Sequence, residues 1–365
     1  MPSLELSQDL DSPPSSIIRP WETSEPEPDN PTDSRDIRLL RAARYGWTDI
    51  AHTLLQEHRI PINTIRRDGH TPLSLAAKHG HISTVRLLLS HGADPDAKLD
   101  DSPPLGGHTA LWHAAGENHP EIVTLLLNAG ASVNGGEESN PRLYPVSIAA
   151  IRGHETVLRI LLSAGAQPDC VGVGFADERT PLSYAAEDGA AGIVQLLLEF
   201  GADGDRADFA GMTALAYAAQ KGEVRTAEIL LEHGVDVEAP DNRFSSRAYD
   251  PSPGGRTAVS WAAGRGHEAV VRLLLARGAD GNSWDLGGKT ALVYAARAGH
   301  LGTVRILLKH EPNRTLRGPE GLTSLEVALR EFKKLDPPVW YEEMWELLEP
   351  KITRPQPGFW QRLLD

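Results

Sequence analysis

Apolar residues recur along most of the chain in short blocks at helical spacing, separated by glycines and polar turns. In the stretch 68–97, Thr71 and Pro72 predict a helix start, because the hydroxyl caps free amides and proline has no amide hydrogen to leave unpaired. Gly80 and Gly92 each predict a helix end in the left-handed conformation. Neither predicted helix is long enough to be stable alone in water, so the pattern predicts stacked helix pairs. The apolar positions are Leu73, Ala76 and Ala77 in the first helix and Val85, Leu88 and Leu89 in the second.

This pattern is an internal repeat. The position of Thr71 returns seven times, at intervals of 38, 35, 36, 33, 44, 33 and 33 residues. A base period of 33 residues, with a T-P-L start, an A-A pair and a closing G-A-D, resembles the ankyrin repeat. The resemblance implies an all-α ankyrin-repeat solenoid of about nine helix-turn-helix units with projecting hairpin loops. The recurring positions are Thr109, Tyr144, Thr180, Thr213, Thr257, Thr290 and Thr323.

The chain divides into three parts by composition. Residues 1–35 are rich in proline, serine and acids and are predicted to be disordered, since they cannot bury enough apolar area to offset their ordering entropy. Residues 36–350 form the predicted ankyrin-repeat domain, and residues 351–365 a short C-terminal tail. Ile17, Ile18 and Trp21 among the N-terminal acids mark either a short binding motif or part of a solubilising tail.

Composition limits the cellular compartments and the classes of partner that we expect for this protein. The net charge of −14 argues against direct nucleic-acid binding, which needs a basic surface. No apolar run approaches the length of a membrane span, and the first residues lack the basic start and apolar core of a signal peptide. Cys170 is the single cysteine, which excludes an intramolecular disulfide and agrees with a reducing compartment. We therefore expect a cytoplasmic or nuclear protein that is not held at a membrane, and the oligomeric state stays open.

The sequence gives little support for an enzyme. Most of its fourteen histidines recur at fixed repeat positions, where a structural role is expected. His79, His81 and His91 are close in sequence, but no cysteine or carboxylate joins them at metal-ligand spacing. Cys170 has no nearby histidine to activate it. We therefore predict no catalytic residue, metal or cofactor, and the alternative is an enzyme or small-molecule binder that uses the ankyrin groove.

Two features predict where a protein partner would bind. Aromatic residues occupy the slot before the A-A pair in four successive units, either as inter-repeat packing or as an adhesive ridge along the concave groove. The longest insertion, 239–254, lies between the sixth and seventh units and is either sequence drift or a binding loop. The candidate partner-binding residues are Tyr184, Tyr217, Arg243, Phe244, Arg247, Tyr249, Arg256, Trp261, Arg265, Lys289, Tyr294 and Arg297.

Charge along the same surface is uneven, which is either ordinary solvated surface charge or a pattern that would orient a polar partner. The fifth unit is acidic at Asp177, Glu178, Glu187 and Asp188, whereas the seventh and eighth are basic. The predicted function is therefore a non-enzymatic protein–protein interaction module, an adaptor or scaffold. The ankyrin resemblance adds a nuclear transcription coregulator as its specialised form.

Overall fold

The computed structural model describes residues 35–56, 60–65, 69–97, 108–135, 144–171, 178–242, 254–310, 322–333 and 347. Within these residues the chain forms seventeen α-helices and no β-strand, which confirms the prediction of an all-α solenoid. Eight consecutive helix pairs make units 1 to 8, and one further helix opens unit 9.

The helices lie in two layers, with the first helix of each unit in one layer and the second helix in the other. The first helices pack more closely on one another than the second helices do, so the stack curves with the first helices on its inner side. The inner layer is α1 (Arg35–Tyr45), α3 (Pro72–Lys78), α5 (Ala110–Gly116), α7 (Pro145–Ile151), α9 (Pro181–Glu187), α11 (Ala214–Lys221), α13 (Ala258–Arg265), α15 (Ala291–Ala298) and α17 (Ser324–Lys333). The outer layer is α2 (Thr48–Gln56), α4 (Ile82–Ser90), α6 (Pro120–Asn128), α8 (Glu155–Ser163), α10 (Ala191–Glu199), α12 (Val224–Glu232), α14 (Glu268–Ala276) and α16 (Leu301–Lys309).

One continuous apolar core runs between the two layers from Leu39 to Ala328. The A-A pairs of the inner helices, such as Ala76 and Ala77, are fully buried, because their small side chains let neighbouring inner helices approach closely. Leucines of the outer helices fill the space behind them. Each unit therefore buries its apolar side only against its neighbours, as expected for a repeat protein.

The predicted helix boundaries have the expected local chemistry at most units. The Thr71 hydroxyl accepts a hydrogen bond from the Ser74 amide at 3.0 Å, and Thr180 does the same for the Ser183 amide at 3.1 Å. Gly80, with φ of 76°, adopts the left-handed conformation after α3. Thr257 begins α13 at the equivalent position, but its hydroxyl makes no cap bond with the described residues.

Histidines connect one unit to the next. His81 Nε2 lies 2.8 Å from the Arg44 carbonyl oxygen, and His154 Nε2 lies 2.9 Å from that of Gly116. Unit 3 keeps the same contact through His119, although Asn118, in the left-handed conformation with φ of 59°, replaces the usual glycine before it. The repeat-pattern histidines thus bind backbone carbonyls of the preceding inner helix.

Both predicted tails and most of the insertions lie outside the described residues, except that Arg35 already belongs to α1. The stem of the longest insertion is described, and hydrogen bonds hold it. The Asp241 amide donates to the Arg256 carbonyl at 2.9 Å, and the Leu286 amide donates to the Gly254 carbonyl at 2.9 Å. These hydrogen bonds therefore hold the two ends of the insertion at a fixed position in the hairpin of unit 7, beside the hairpin of unit 8.

Candidate functional site

The four aromatic residues before the A-A pairs line up along the inner layer of units 5 to 8. We call this set, Tyr184, Tyr217, Trp261 and Tyr294, the aromatic column. Each ring is the fourth residue after the N-cap of its helix, so the close packing of α9, α11, α13 and α15 places the rings in register.

A guanidinium group separates the first two rings. The Arg179 Cζ atom lies 4.1 Å from the Tyr184 ring centroid and 3.9 Å from that of Tyr217. Its Nη2 atom donates to the Ser183 carbonyl at 3.0 Å, and Nη1 forms an ion pair with Glu187. Partial burial alone would raise the pKa of Glu187, but attraction by Arg179 and Lys221 outweighs it and holds the pKa below its usual value. A salt-bridged cation thus joins units 5 and 6.

A second guanidinium group separates the last two rings. The Arg256 Cζ atom lies 3.6 Å from the Trp261 ring centroid and 3.8 Å from that of Tyr294. Its Nη2 atom donates to the Ser260 carbonyl at 3.1 Å. Between the two pairs, Met212 packs with Trp261 and Tyr217. Cations, a thioether and aromatic rings therefore alternate through four units, each type of contact being favourable at these distances.

Two tyrosines of the column also hold the hairpins. The Tyr217 hydroxyl donates to Asp208 Oδ2 at 2.6 Å, and the Tyr294 hydroxyl donates to Asp285 Oδ2 at 2.5 Å. Burial raises the pKa of Tyr217, and the neighbouring Asp208 carboxylate raises it further. The Tyr217 phenol therefore stays protonated, and the two hydrogen bonds fix the hairpins of units 6 and 8 to their inner helices.

Exposure separates the predicted partner-binding residues into two groups. Trp261 and Arg256 are only 2% and 6% exposed, so for these two the packing interpretation applies. The other predicted residues in the described part are accessible to solvent. Tyr184, Tyr217, Lys289 and Tyr294 are half-buried, and Arg265 and Arg297 are exposed. Arg243, Phe244, Arg247 and Tyr249 lie outside the described residues.

The predicted change from acidic to basic residues is found at the C-terminal ends of the inner helices. Glu187 and Asp188 lie at the end of α9, and burial together with the Glu187 charge raises the pKa of Asp188. Lys221 and Arg265 end α11 and α13. Arg265 is separated from the hairpin by the whole of α13, about 12 Å at the rise of an α-helix, so it borders the far side of the groove from the insertion.

Sequence reasoning missed two features of this surface. Arg179 and Met212 each lie directly before the capping threonine of their unit, at a position that follows no apolar periodicity. Only an alignment of Arg179 with Arg256, which takes the same position in unit 7, would have revealed the stack. Phe209 and Leu286 project from the hairpins of units 6 and 8, each 68% exposed. Single apolar residues in polar loops give no sequence signal of their own.

In unit 3 a histidine, His113, takes the slot that the aromatic column fills in units 5 to 8, and His70 and His108 lie directly before the capping threonines of units 2 and 3. His113 is 1% exposed, and neither of its ring nitrogens has a hydrogen-bond partner among the described residues. Its ring centroid lies 4.9 Å from that of His70 and 5.5 Å from that of His108. Burial lowers the pKa of His113 well below its usual value, and the positive charges of its neighbours lower it further. No group of three or more His, Cys, Asp or Glu side chains in the described part could hold a metal ion.

The fold and the repeated hairpin contacts define a helical repeat solenoid, and comparison with known proteins gives its family. The family model for ankyrin repeats (three copies) matches residues 25–99, 97–172, 146–241 and 244–329. The chain belongs to the ankyrin repeat family. Ankyrin repeats are protein-interaction modules.

Solved structures agree with this family. The ankyrin repeat domain of human ASB11 is 25% identical and superposes with a TM-score of 0.53, covering 66% of this chain and 97% of that domain. The ankyrin repeat domain of Bcl-3, a member of the IkappaB protein family, is 25% identical with a TM-score of 0.54, covering 67% and 99%.

Curated relatives are similar only over short stretches. Alpha-latrocrustotoxin-Lt1a of Latrodectus tredecimguttatus is 40% identical over 67 residues, which are 18% of this chain and 5% of the toxin. BCL-6 corepressor-like protein 1 of Homo sapiens is 44% identical over 57 residues, 16% of this chain and 3% of that protein. The chain therefore matches a very small part of these relatives. Among the described residues, no helix has the length and hydropathy needed to cross a bilayer.

Proposed function

We propose that this chain is a non-enzymatic adaptor that binds a partner protein across the inner layer of units 5 to 8. The observation that carries the proposal is a row of half-buried aromatic rings, Tyr184, Tyr217 and Tyr294, on a fully packed scaffold and beside exposed charges. Half-buried aromatic rings anchor interfaces well, because they add contact area at low conformational cost. A rigid surface also loses little conformational entropy when a partner binds, because its side chains and helices are already ordered.

Within this site the buried and the accessible residues have different roles. Arg256 and Trp261 hold the rings in place from below the surface. Tyr294, with Lys289 5.9 Å from its ring centroid, and the exposed Arg265 contact the partner. Arg297 extends the same contact toward unit 9.

The insertion of unit 7 is the second part of the proposed site. Its ends are fixed, because the Asn242 amide donates to the Ala210 carbonyl at 3.2 Å and Gly254 accepts from Leu286. The exposed apolar residues Phe209 and Leu286 flank it on the neighbouring hairpins. We propose that these apolar residues and the insertion together contact one side of the partner. The insertion residues proposed to bind are Arg243, Phe244, Arg247 and Tyr249.

Affinity capture with matched variants tests this proposal. Changing Phe244, Arg247 and Tyr249 together to alanine should weaken partner capture at least about tenfold, the effect of losing about 1.4 kcal/mol. Arg265→Ala should weaken capture from the other side of the groove. Arg272→Ala, on the outer layer and paired with Glu268, is the control and should leave capture unchanged.

Two other outcomes are distinguishable from the expected one. If the triple variant keeps full affinity while Arg265→Ala abolishes capture, the groove binds the partner without the insertion. If the triple variant and Arg265→Ala both leave capture intact, the partner binds elsewhere and the proposal fails.

As the specialised form we propose a transcription coregulator that acts in the nucleus. Its support is the similarity to a 57-residue stretch of BCL-6 corepressor-like protein 1 and to the ankyrin repeat domain of Bcl-3. Cell fractionation together with identification of the captured partner tests it. Capture of a transcription factor or corepressor from the nuclear fraction supports this form. An exclusively cytoplasmic partner contradicts it without affecting the adaptor function.

A further inference from the structure

A cavity of about 170 Å³ lies between units 7 and 8, where the outer helices α14 and α16 end. We call it the unit 7 cavity. Its polar lining residues are Asp280, Asn282 and His310, of which Asp280 and His310 are exposed. Protein interiors contain few voids of this size, because an empty space loses the contacts that packed side chains make. The apolar lining residues are all buried and are Leu275, Ala279, Leu292 and Leu307.

The unit 7 cavity lies beside Gly281, the third residue after the glycine that ends the outer helix. Most other units have an apolar side chain at this position, and Val133 and Val237 pack there against the core. Gly281 therefore removes from unit 7 a side chain that the repeat supplies elsewhere. In units 2 to 7 the position is occupied by Pro95, Val133, Pro168, Gly204, Val237 and Gly281.

Unit 5 also has glycine at this position, but there the next unit fills the space. A Cβ atom at Gly204 would lie 2.5 Å from Val235 Cγ1, so the valine already occupies its place. At Gly281 the nearest described atoms to such a Cβ would be Leu275 Cδ2 at 3.4 Å and Leu307 Cδ2 at 3.7 Å, which are ordinary contact distances. The unit 7 cavity can therefore take one apolar group, since an apolar cavity of about 150 Å³ holds a benzene ring.

The surface next to the cavity is acidic. Carboxylates of successive units connect one hairpin to the next: Asp205 Oδ1 accepts from the Asp236 amide at 2.7 Å, and Glu238 Oε1 accepts from the Asp280 amide at 2.7 Å. Asp205, Asp236 and Asp280 are exposed. We call these four residues the acidic edge. Because Asp280 also lines the cavity, the apolar space opens beside carboxylates that backbone hydrogen bonds hold in place.

The C-terminal part of the sequence has the chemistry that complements this surface. Residues 351–365, which lie outside the described residues, hold three basic residues and one acid in a chain whose net charge is −14. Phe359 and Trp360 lie between Arg354 and Arg362. The phenyl ring of Phe359 has the size of the group that the cavity can take, and the arginines carry the charge opposite to that of the acidic edge.

The segment is also long enough to reach the cavity. The last helix of the array, α17, packs on α15 of unit 8, and helices in contact have axes about 8–10 Å apart. The 26 residues from Lys333, at the end of α17, to Phe359 would cover about 39 Å even as one continuous α-helix. Chain length therefore does not prevent Phe359 from reaching unit 7.

We propose that residues 351–365 fold back on the outer layer and place the Phe359 ring in the unit 7 cavity. The ring then fills the space that Val237 fills in unit 6. Arg354 and Arg362 lie beside the acidic edge, so that charge attraction orients the segment. The cavity opens where the outer helices end, whereas the proposed partner surface is on the inner layer, so this inference does not depend on the adaptor function.

Photo-cross-linking within the full chain tests the proposal. The photoreactive amino acid p-benzoylphenylalanine is placed at position 360, and the linked peptides are identified by mass spectrometry. We expect links to residues 275–282 or 307–310 of the same chain. Gly281→Val should abolish these links, because it fills the cavity with the side chain that unit 6 has at this position. Ala276→Val adds the same side chain at an exposed position of α14, outside the cavity, and should keep the links.

Thermal melting of the full chain gives a second, independent measurement. Phe359→Ala should lower the melting midpoint of the natural chain and leave that of Gly281→Val unchanged, because the filled cavity no longer holds the ring. Circular dichroism confirms that each variant is folded. Gly281→Ala, which adds only a Cβ at ordinary contact distances, replaces Gly281→Val if the larger side chain prevents folding.

Several results would overturn the inference. Links to other units contradict it, as do links that persist in Gly281→Val and links that form only between two chains. A competing occupant is Pro312, the residue of unit 8 equivalent to Val235, which lies outside the described residues. If Pro312→Gly lowers the melting midpoint and Phe359→Ala does not, unit 8 fills the cavity itself and the inference is wrong.

Discussion

His113 takes, in unit 3, the slot that Leu75 fills in unit 2 and Ile148 fills in unit 4. Its ring packs as an apolar side chain would, but both nitrogens are buried without hydrogen bonds to any part of the chain that the structure describes. Such a group is tolerated only while it is neutral, because a buried charge with no partner is very costly. His70, His108, Lys78 and His79 surround it and would repel an added proton further.

This histidine predicts acid sensitivity of units 2 and 3. Because its pKa is lowered in the folded state, stability is fully present above the usual histidine pKa of about 6.5 and is lost as the pH falls below it. His113→Leu should flatten the fall in melting midpoint between about pH 7.5 and pH 5.5. At the higher pH the variant should be more stable by about 1–3 kcal/mol, since two unsatisfied polar atoms are removed.

The control for this measurement is His52→Gln on the exposed side of α2, which should keep the pH dependence of the natural chain. Parallel pH profiles for the natural chain and His113→Leu would show that another group causes the acid sensitivity.

At the scale of helices, stability comes from leucines that pack between units. Leu197 on α10 and Leu274 on α14 are fully buried. Replacing either with alanine should cost about 2–5 kcal/mol, because the neighbouring units cannot close the cavity completely. Phe209→Ala, at a side chain 68% exposed, should change stability by less than about 0.5 kcal/mol. Urea titration measures all three, and a near-neutral Leu274→Ala would contradict the register of the outer layer.

The repeat period was sufficient to predict the helices, because at most units the positions of Thr71, the A-A pair and Gly80 each have a local physical role in starting, packing or ending a helix. It could not predict that Trp261 is buried. That burial depends on Met212 from the preceding unit and on Arg256 lying across the ring. Arg179 was missed for the same reason: its second ring contact is with Tyr217 of the next unit, and sequence spacing within one unit does not contain that contact.

At the scale of the whole molecule, the described units share one continuous apolar core. The first helix begins at Arg35, so deletion of residues 1–34 leaves every described helix complete. We expect the melting midpoint and the helical circular dichroism to stay nearly unchanged, because acids and prolines cannot join the core. A large drop in the midpoint would mean that this segment packs on unit 1.

The central claim is that a protein partner lies on the inner layer of units 5 to 8. Three lysines of the described part report on it directly: Lys221 and Lys289 lie on the inner layer and the hairpin beside it, and Lys309 ends α16 on the outer layer. Amine-reactive cross-linking of the captured complex, followed by mass spectrometry, identifies which of them lie near the partner. The account predicts partner cross-links at Lys221 and Lys289 and none at Lys309. Partner cross-links at Lys309 alone would contradict it.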